Sequence, residues 1–243
     1  MRIRTDLEDA LYVSWAVDRS QLPVPPEPLT LDGPLVDGEL AGFVTVVLFR
    51  HRALRLKPFD WLGIRFAQCN LRISVRDPDR IPSVWLVRQL VPAWAAPLGR
   101  WVAGQPVEAA SLRDVRAADD DAVRWQVDSG APLRLAARPG VMAQSSDWRE
   151  TAAFVRERPR GYVLSGGRLA RLDARIGKGD LMPMRVELER TDWLRIQLPL
   201  VEPSRWQSPQ SAFLVVSTRL EVESVPEDLG ALPARVPATG VPV

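Results

Sequence analysis

Lysine is almost missing from this chain: Lys57 and Lys178 are the only two among 32 basic residues. Positive charge therefore sits on guanidinium groups that keep their proton at any physiological pH. Amine chemistry is confined to two positions. The abundance of Arg, Ala, Pro and Val matches the codon usage of a GC-rich genome. Cysteine is represented by Cys69 alone, so no internal disulfide can form, which suits a reducing cytoplasm and makes a cytoplasmic location the expectation. Histidine is represented by His51 alone, and one His with one Cys excludes an ordinary His/Cys zinc site within the chain. Solvent exposure is expected for His51, in the basic segment HRALRLK. No apolar run approaches the ~18 residues of a membrane span. The longest, Phe43–Phe49, suits one buried strand, and MRIRTDLEDA is too charged for a signal peptide. A basic excess is missing too: 32 basic residues face 30 acids. Signs alternate locally, as in Arg156-Glu157-Arg158 and Asp77-Pro78-Asp79-Arg80, so nucleic-acid binding is not expected. There is no internal repeat, no Gly-rich phosphate loop and no Ser-centred nucleophile elbow. No cofactor is expected.

What is present reads as one β-rich domain. The 243 residues are enough to bury a sizeable core. Strand patterns fall at Leu11–Trp15, Phe43–Arg50, Cys69–Arg76, Ser83–Val91, Val123–Val127, Leu133–Arg138, Tyr162–Ser165, Arg168–Ile176, Val186–Glu189 and Phe213–Glu223. Gly166-Gly167 between two of them predicts a two-residue hairpin, because both turn positions can take φ > 0. Helical spacing appears over Pro92–Val102, where Pro97 predicts a kink or break. It appears again over Asp147–Arg158, with Asp147 as cap and Glu150 reaching back. Asp18 is expected to cap a helical turn at Arg19–Leu22, and Asp192–Leu198 reads as a further short helix. A mobile Pro-rich tail is expected over 226–243, leaving 1–225 as the domain.

The order of these blocks resembles the acetoacetate decarboxylase-like superfamily, and within it the YqjF-like branch, a domain of unknown function. The resemblance rests on ALYVSWAVDRSQLPVPPEPLTLDGPLVDGEL, CNLRISVR, SVWLVRQL, GQPVEAASL and FVRERPRGYVLSGGRLARLDARI, in that order over most of residues 9–225. It implies a β-rich α+β fold: an antiparallel β-barrel with two or three peripheral helices around a small-molecule pocket. The decarboxylases of that superfamily use a lysine that forms a Schiff base with a β-keto acid. The resemblance places that lysine at Val107, beside Glu108. It puts the substrate-facing arginine at Ala16 and the catalytic glutamate near Ala93. None of the three side chains is kept.

Several polar residues are candidates for contact with a ligand. Asn70, Arg72, Ser74 and Arg76 share one strand face. If that face points into the barrel, Asn70 and Arg72 can bind a carboxylate or carbonyl; a solvated outer face is the preferred reading. Arg88 and Gln89 interrupt an apolar strand, so one of them points inward, and Arg88 is the leading candidate. Glu108 can act as a general base only if burial raises its pKa. Glu157-Arg158 reads as an ion pair that ends a helix. Trp15, Trp85 and Trp101 are candidates to line the cavity. The expected function is binding of a small organic molecule without decarboxylase chemistry. The alternatives are an enzyme of another reaction type using Glu108 or Arg88, and a structural protein assembling through exposed strands or the tail. Since Val107 replaces the lysine, borohydride reduction in the presence of a β-keto acid is expected to leave the protein mass unchanged. A stable adduct on Lys57 or Lys178, located by peptide mass spectrometry, would overturn this.

Overall fold

Long runs of β-branched and aromatic residues make the first third of the chain a sheet. The computed structural model describes residues 2–36, 38–56, 59–103, 105–115, 121–142 and 148–225. The chain opens with β1 (Arg2–Val17), a 3-10 turn at Arg19–Gln21, and the short strands β2 (Thr30–Leu31), β3 (Leu35–Val36) and β4 (Glu39–Leu40). The long strands β5 (Gly42–Leu56), β6 (Phe59–Arg76) and β7 (Pro82–Val91) follow. Next come α1 (Ala96–Ala103), β8 (Glu108–Ala109), β9 (Ser111–Val115), β10 (Val123–Asp128), β11 (Pro132–Pro139) and α2 (Trp148–Arg156). The last part holds β12 (Arg160–Ser165), β13 (Arg168–Ile176), β14 (Leu181–Arg190), α3 (Asp192–Gln197), a 3-10 turn at Pro203–Gln207, and β15 (Ser211–Val225).

Seven strands close into a ring in the order β1-β5-β6-β7-β12-β13-β15, because β15 pairs with β13 on one edge and with β1 on the other. Closure removes the unpaired edges an open sheet would expose. The ring is not wholly antiparallel: β12 runs parallel to β7, from Arg160↔Ser83 to Val163↔Leu86. The chain leaves the barrel after β7, builds α1, β8–β11 and α2, and re-enters in the same direction, as a parallel pairing requires. The start of β15 also pairs with β14, and from there β14-β11-β10-β9 form a side sheet.

The largest core lies between the outer wall of the barrel and this side sheet. Trp15, Trp125, Trp193 and Trp206 are all buried there. The Trp15 indole donates to the Trp206 carbonyl at 3.1 Å and meets the Trp206 ring edge-on. A second cluster lies inside the barrel. There Leu7, Tyr12, Phe43, Phe49 and Phe213 pack with Ala152 and Val155 of α2, so the apolar face of that helix covers one end.

Local signals act as expected in several places. Asp18 accepts from the Ser20 amide at 2.8 Å. Gly166 and Gly167 both take positive φ, 57° and 79°, at the β12–β13 hairpin. Pro97 differs from expectation: it lies in the first turn of α1, where a missing N–H costs nothing, and it begins the helix rather than kinking it. Asp147 and residues 226–243 lie outside the described residues.

Arg158 does not pair with Glu157, which is exposed. It is buried, and each of its nitrogens has a partner. Nε donates to Phe154 O at 3.0 Å, Nη1 to Val75 O at 3.2 Å and Ser83 O at 3.0 Å, and Nη2 to Asp32 Oδ2 at 2.9 Å. Val75 and Ser83 are register partners on β6 and β7. One guanidinium thus joins the end of α2, two barrel strands and the loop after β2. Breaking a buried charge pair costs about 3–5 kcal/mol. Arg158→Met is expected to lower the unfolding free energy by about that amount in urea titration, and Glu157→Gln by under about 0.5 kcal/mol. Equal effects would contradict this role for Arg158.

Candidate functional site

The barrel holds a cavity of about 170 Å³, with lining residues from all seven ring strands. Which residues face it depends on irregularities in the strands. On β1, Ile3, Thr5 and Leu7 point inward. Asp9 then takes φ 52°, the register with β5 shifts between Glu8 and Leu11, and the inward set becomes Ala10 and Tyr12. A bulge inserts one residue and so moves every later side chain to the other face. The same happens on β7, where Leu71 faces Arg88 but Arg72 faces Leu86. Val84 and Leu86 line the cavity before this irregularity and Gln89 after it. Arg88 therefore points outward.

Three expectations are corrected by this geometry. Arg88 is exposed and donates to Gln197 Oε1 at 2.8 Å, with Glu108 Oε1 at 3.3 Å. Glu108 shares that outer position, half in solvent, and nothing buries it as a general base requires. Trp85 and Trp15 belong to the core outside the barrel, not to the cavity. The side chain of Trp101 and all of Lys57 lie outside the described residues, and Lys178 is exposed. Val107 is buried in an apolar niche of about 70 Å³ with Phe66, Val91, Ala95 and Gly99. That niche adjoins the main cavity, sharing Ile3, Leu54, Gln68 and Gln105 with it. Ala16 packs beside the inner cluster, and Ala93 is exposed in the turn before α1.

The face of β6 carrying Asn70 and Arg72 points inward, against the preferred expectation of a solvated face. Gln68, Asn70 and Arg72 form a polar stripe along it. Leu172, Ala174, Ile176, Leu220 and Val222 of β13 and β15 supply apolar wall. Arg72 Nη2 donates to Val155 O at 2.8 Å, closing a carbonyl at the C-terminus of α2, and its guanidinium lies 5.0 Å from the Tyr12 ring centroid. Burial lowers its pKa to about 10, with Tyr12 opposing and Arg158 adding to that shift, so it stays charged at neutral pH. Among the described residues no carboxylate pairs with it. Gln89 faces Asn70 across the β6–β7 register. It is 3% exposed, and its amide nitrogen is buried without a partner.

His51 is the residue that sequence reasoning misplaced most. It is buried, between Phe49 and Phe66. Its Nδ1 meets Thr5 Oγ1 at 3.1 Å, its Nε2 meets Gln68 Oε1 at 2.9 Å, and Gln68 Nε2 donates to Asn70 Oδ1 at 2.8 Å. As Gln68 Oε1 can only accept, Nε2 carries the proton in neutral His51, and Nδ1 accepts a hydrogen bond from the Thr5 hydroxyl, which also lies 3.3 Å from Asp6 O. Period-2 alternation from Val47 and Phe49 would have signalled that His51 faces inward. Cys69 is fully buried on the opposite face, and burial pushes its thiol pKa far up, which makes it inert. Among the described residues no group of His, Cys, Asp and Glu could hold a metal. No described helix is long and apolar enough to cross a membrane.

The profile of the DUF2071 family, described as an uncharacterized conserved protein, matches residues 4–220. No curated protein matches the chain in sequence. Among solved structures, an acetoacetate decarboxylase aligns at TM-score 0.59 and 17% identity, covering 93% of this chain and 89% of that one. The acetoacetate decarboxylase of Legionella pneumophila subsp. pneumophila str. Philadelphia 1 aligns at TM-score 0.62 and 12% identity, covering 95% and 89%. The enduracididine biosynthesis enzyme MppR with HEPES buffer bound aligns at TM-score 0.61 and 12% identity, again over 95% and 89%. These likenesses establish an acetoacetate decarboxylase-like fold.

Burial lowers the His51 pKa to about 4, and the Gln68 hydrogen bond only partly opposes it. An unfolded histidine titrates near ~6.5. Between these values the unfolded chain binds a proton that the folded chain refuses, so stability falls as pH drops. From pH 7 to 5 this one group is expected to remove about 2 kcal/mol. His51→Gln should flatten that part of the curve in urea titrations at the two pH values. An equally steep loss in the variant would contradict it.

Proposed function

We propose that this chain, which belongs to the DUF2071 family, binds a small organic molecule reversibly in its barrel cavity and does so without Schiff-base chemistry. The observation that carries this reading is the cavity itself. It is lined by an apolar wall on one side and by Gln68, Asn70 and Arg72 on the other. Small-molecule sites combine apolar lining with a few convergent polar groups in this way. A volume of about 170 Å³ is comparable to the ~150 Å³ cavity that accepts a benzene-sized guest. The ligand is therefore small.

The absence of covalent chemistry rests on residue identity. Val107, at the position the superfamily resemblance assigns to the amine, is apolar and packs against Gly99, whose Cβ position would lie 2.6 Å from Val107 Cγ2. Lys178 is on the outside. A reaction that uses Glu108 or Arg88 finds no support, because the two sit together on the outer surface. We place the protein in the cytoplasm and assign it no nucleic-acid or membrane partner, on the single buried cysteine and the balanced charge.

A thermal-shift panel of small metabolites tests the reading, run on the natural protein and on Ala174→Phe, which fills the cavity from β13. At least one compound is expected to raise Tm saturably, with the shift lost in the variant. A panel without any hit, or a shift indifferent to Ala174→Phe, would overturn the proposal.

A further inference from the structure

We infer that the cavity selects a small organic anion, held end-on by Arg72 with Asn70 and Gln89. This rests on the reading that the cavity is a binding site, and adds the chemical class of what binds. The first observation is the uncompensated charge of Arg72. Among the described residues its one hydrogen bond is the one to Val155 O, which uses one of five N–H donors. Arg158, which also lines the cavity, uses four of its five N–H donors on protein and has Asp32 as its counter-ion. Arg72 has no such partner among the described residues, and it lines the cavity. Arg72 is half-buried, and a charge drawn partly out of water is costly unless it is paired. A carboxylate-sized anion arriving in the cavity supplies the missing partner.

The second observation is independent of Arg72. The Gln89 amide nitrogen is buried without a partner and the residue lines the cavity. Gln89 and Asn70 are direct neighbours on β7 and β6, which places their Cβ atoms about 5 Å apart. Arg72 is two residues further along the same inward face, about 7 Å away. Three groups that can donate thus converge on one side of the cavity.

The third observation concerns Asn70. Its Oδ1 is taken by Gln68 Nε2, so its amide N–H groups are the part left to face the cavity. That orientation is tied to His51: Gln68 Oε1 accepts from His51 Nε2, which leaves Gln68 Nε2 to turn toward Asn70. The run His51-Gln68-Asn70 therefore acts as a positioning device. It presents a donor and so favours an acceptor-only oxygen over an alcohol or an amide nitrogen. The apolar wall of β13 and β15 accommodates a short hydrocarbon remainder.

The test uses the full chain and three isosteric probes at constant ionic strength: butyrate, butyramide and n-butanol, followed by thermal shift and by titration calorimetry. Butyrate is expected to bind saturably and at least about tenfold more tightly than the two neutral probes. Arg72→Met is expected to abolish that preference. Because Arg72→Met also removes a helix-end contact, Gln89→Leu, which loses no protein hydrogen bond, provides the second variant. It should weaken butyrate about tenfold and leave the neutral probes unchanged. Neutral probes that bind as well as butyrate, or butyrate binding indifferent to both variants, would overturn anion selection and leave the cavity reading standing. If none of the three probes binds, anion selection falls, and the cavity reading is decided by the metabolite panel.

Discussion

Arg158 is the constraint on which the rest of the structure depends. A β-barrel of this kind must cover its ends, and this chain does so with α2, a helix of nine residues. A helix that short has little stability of its own in water and leaves its last carbonyls without partners. Here two of them are closed by arginines, Phe154 O by Arg158 and Val155 O by Arg72. Arg158 also reaches Val75 O, Ser83 O and Asp32, and its ring contact with Phe154 adds cation–π attraction. Burial lowers its pKa and Asp32 works against that shift. With Arg158 in place the helix end, the β6–β7 pair and the N-terminal loop become one unit, and Arg72 is held at the inner end of the cavity.

The cavity's chemistry is decided by a second constraint, the irregularities in register. Asp9 in the left-handed region of β1 and the extra residue in β7 each reverse the inward set within a strand. Without the second, Arg88 would face the cavity and Gln89 would lie outside. The β7 irregularity thus brings an unpartnered amide into the interior, beside the arginine of β6 and the hydrogen-bonded histidine of β5. Those three features separate this cavity from a plain apolar core.

Much of the fold was legible in the sequence, and the reason is local. The strand positions follow from alternation, Gly166-Gly167 marks its hairpin, and Asp18 caps its turn. The order of the blocks carries the superfamily likeness. The weak points were strands whose apolar period changes midway. Arg2–Ala10 of β1 reads as a charged segment, although Ile3, Thr5 and Leu7 alternate on its inward face up to Asp9. Site residues suffered for the same reason. Asn70 and Arg72 lie on a regular part of β6, so their shared face was readable and only its direction was not. Arg88 and Gln89 flank an irregularity that leaves no trace in composition, and the sequence points to the wrong member of the pair. Trp15 and Trp85 read as cavity candidates in sequence because an aromatic residue looks alike in either core. Only the side sheet, which packs against the outer wall, tells the two apart.

The barrel, held at one end by a buried arginine, has an interior that is open and polar along one side, and the class of ligand it can take follows from that space. Pressurising crystals with xenon tests this most directly, because apolar cavities of this size take up the gas. The prediction is xenon density inside the barrel, against Leu172, Ala174 and Leu220. A barrel whose side chains meet in the middle, with no xenon between them, would contradict the account.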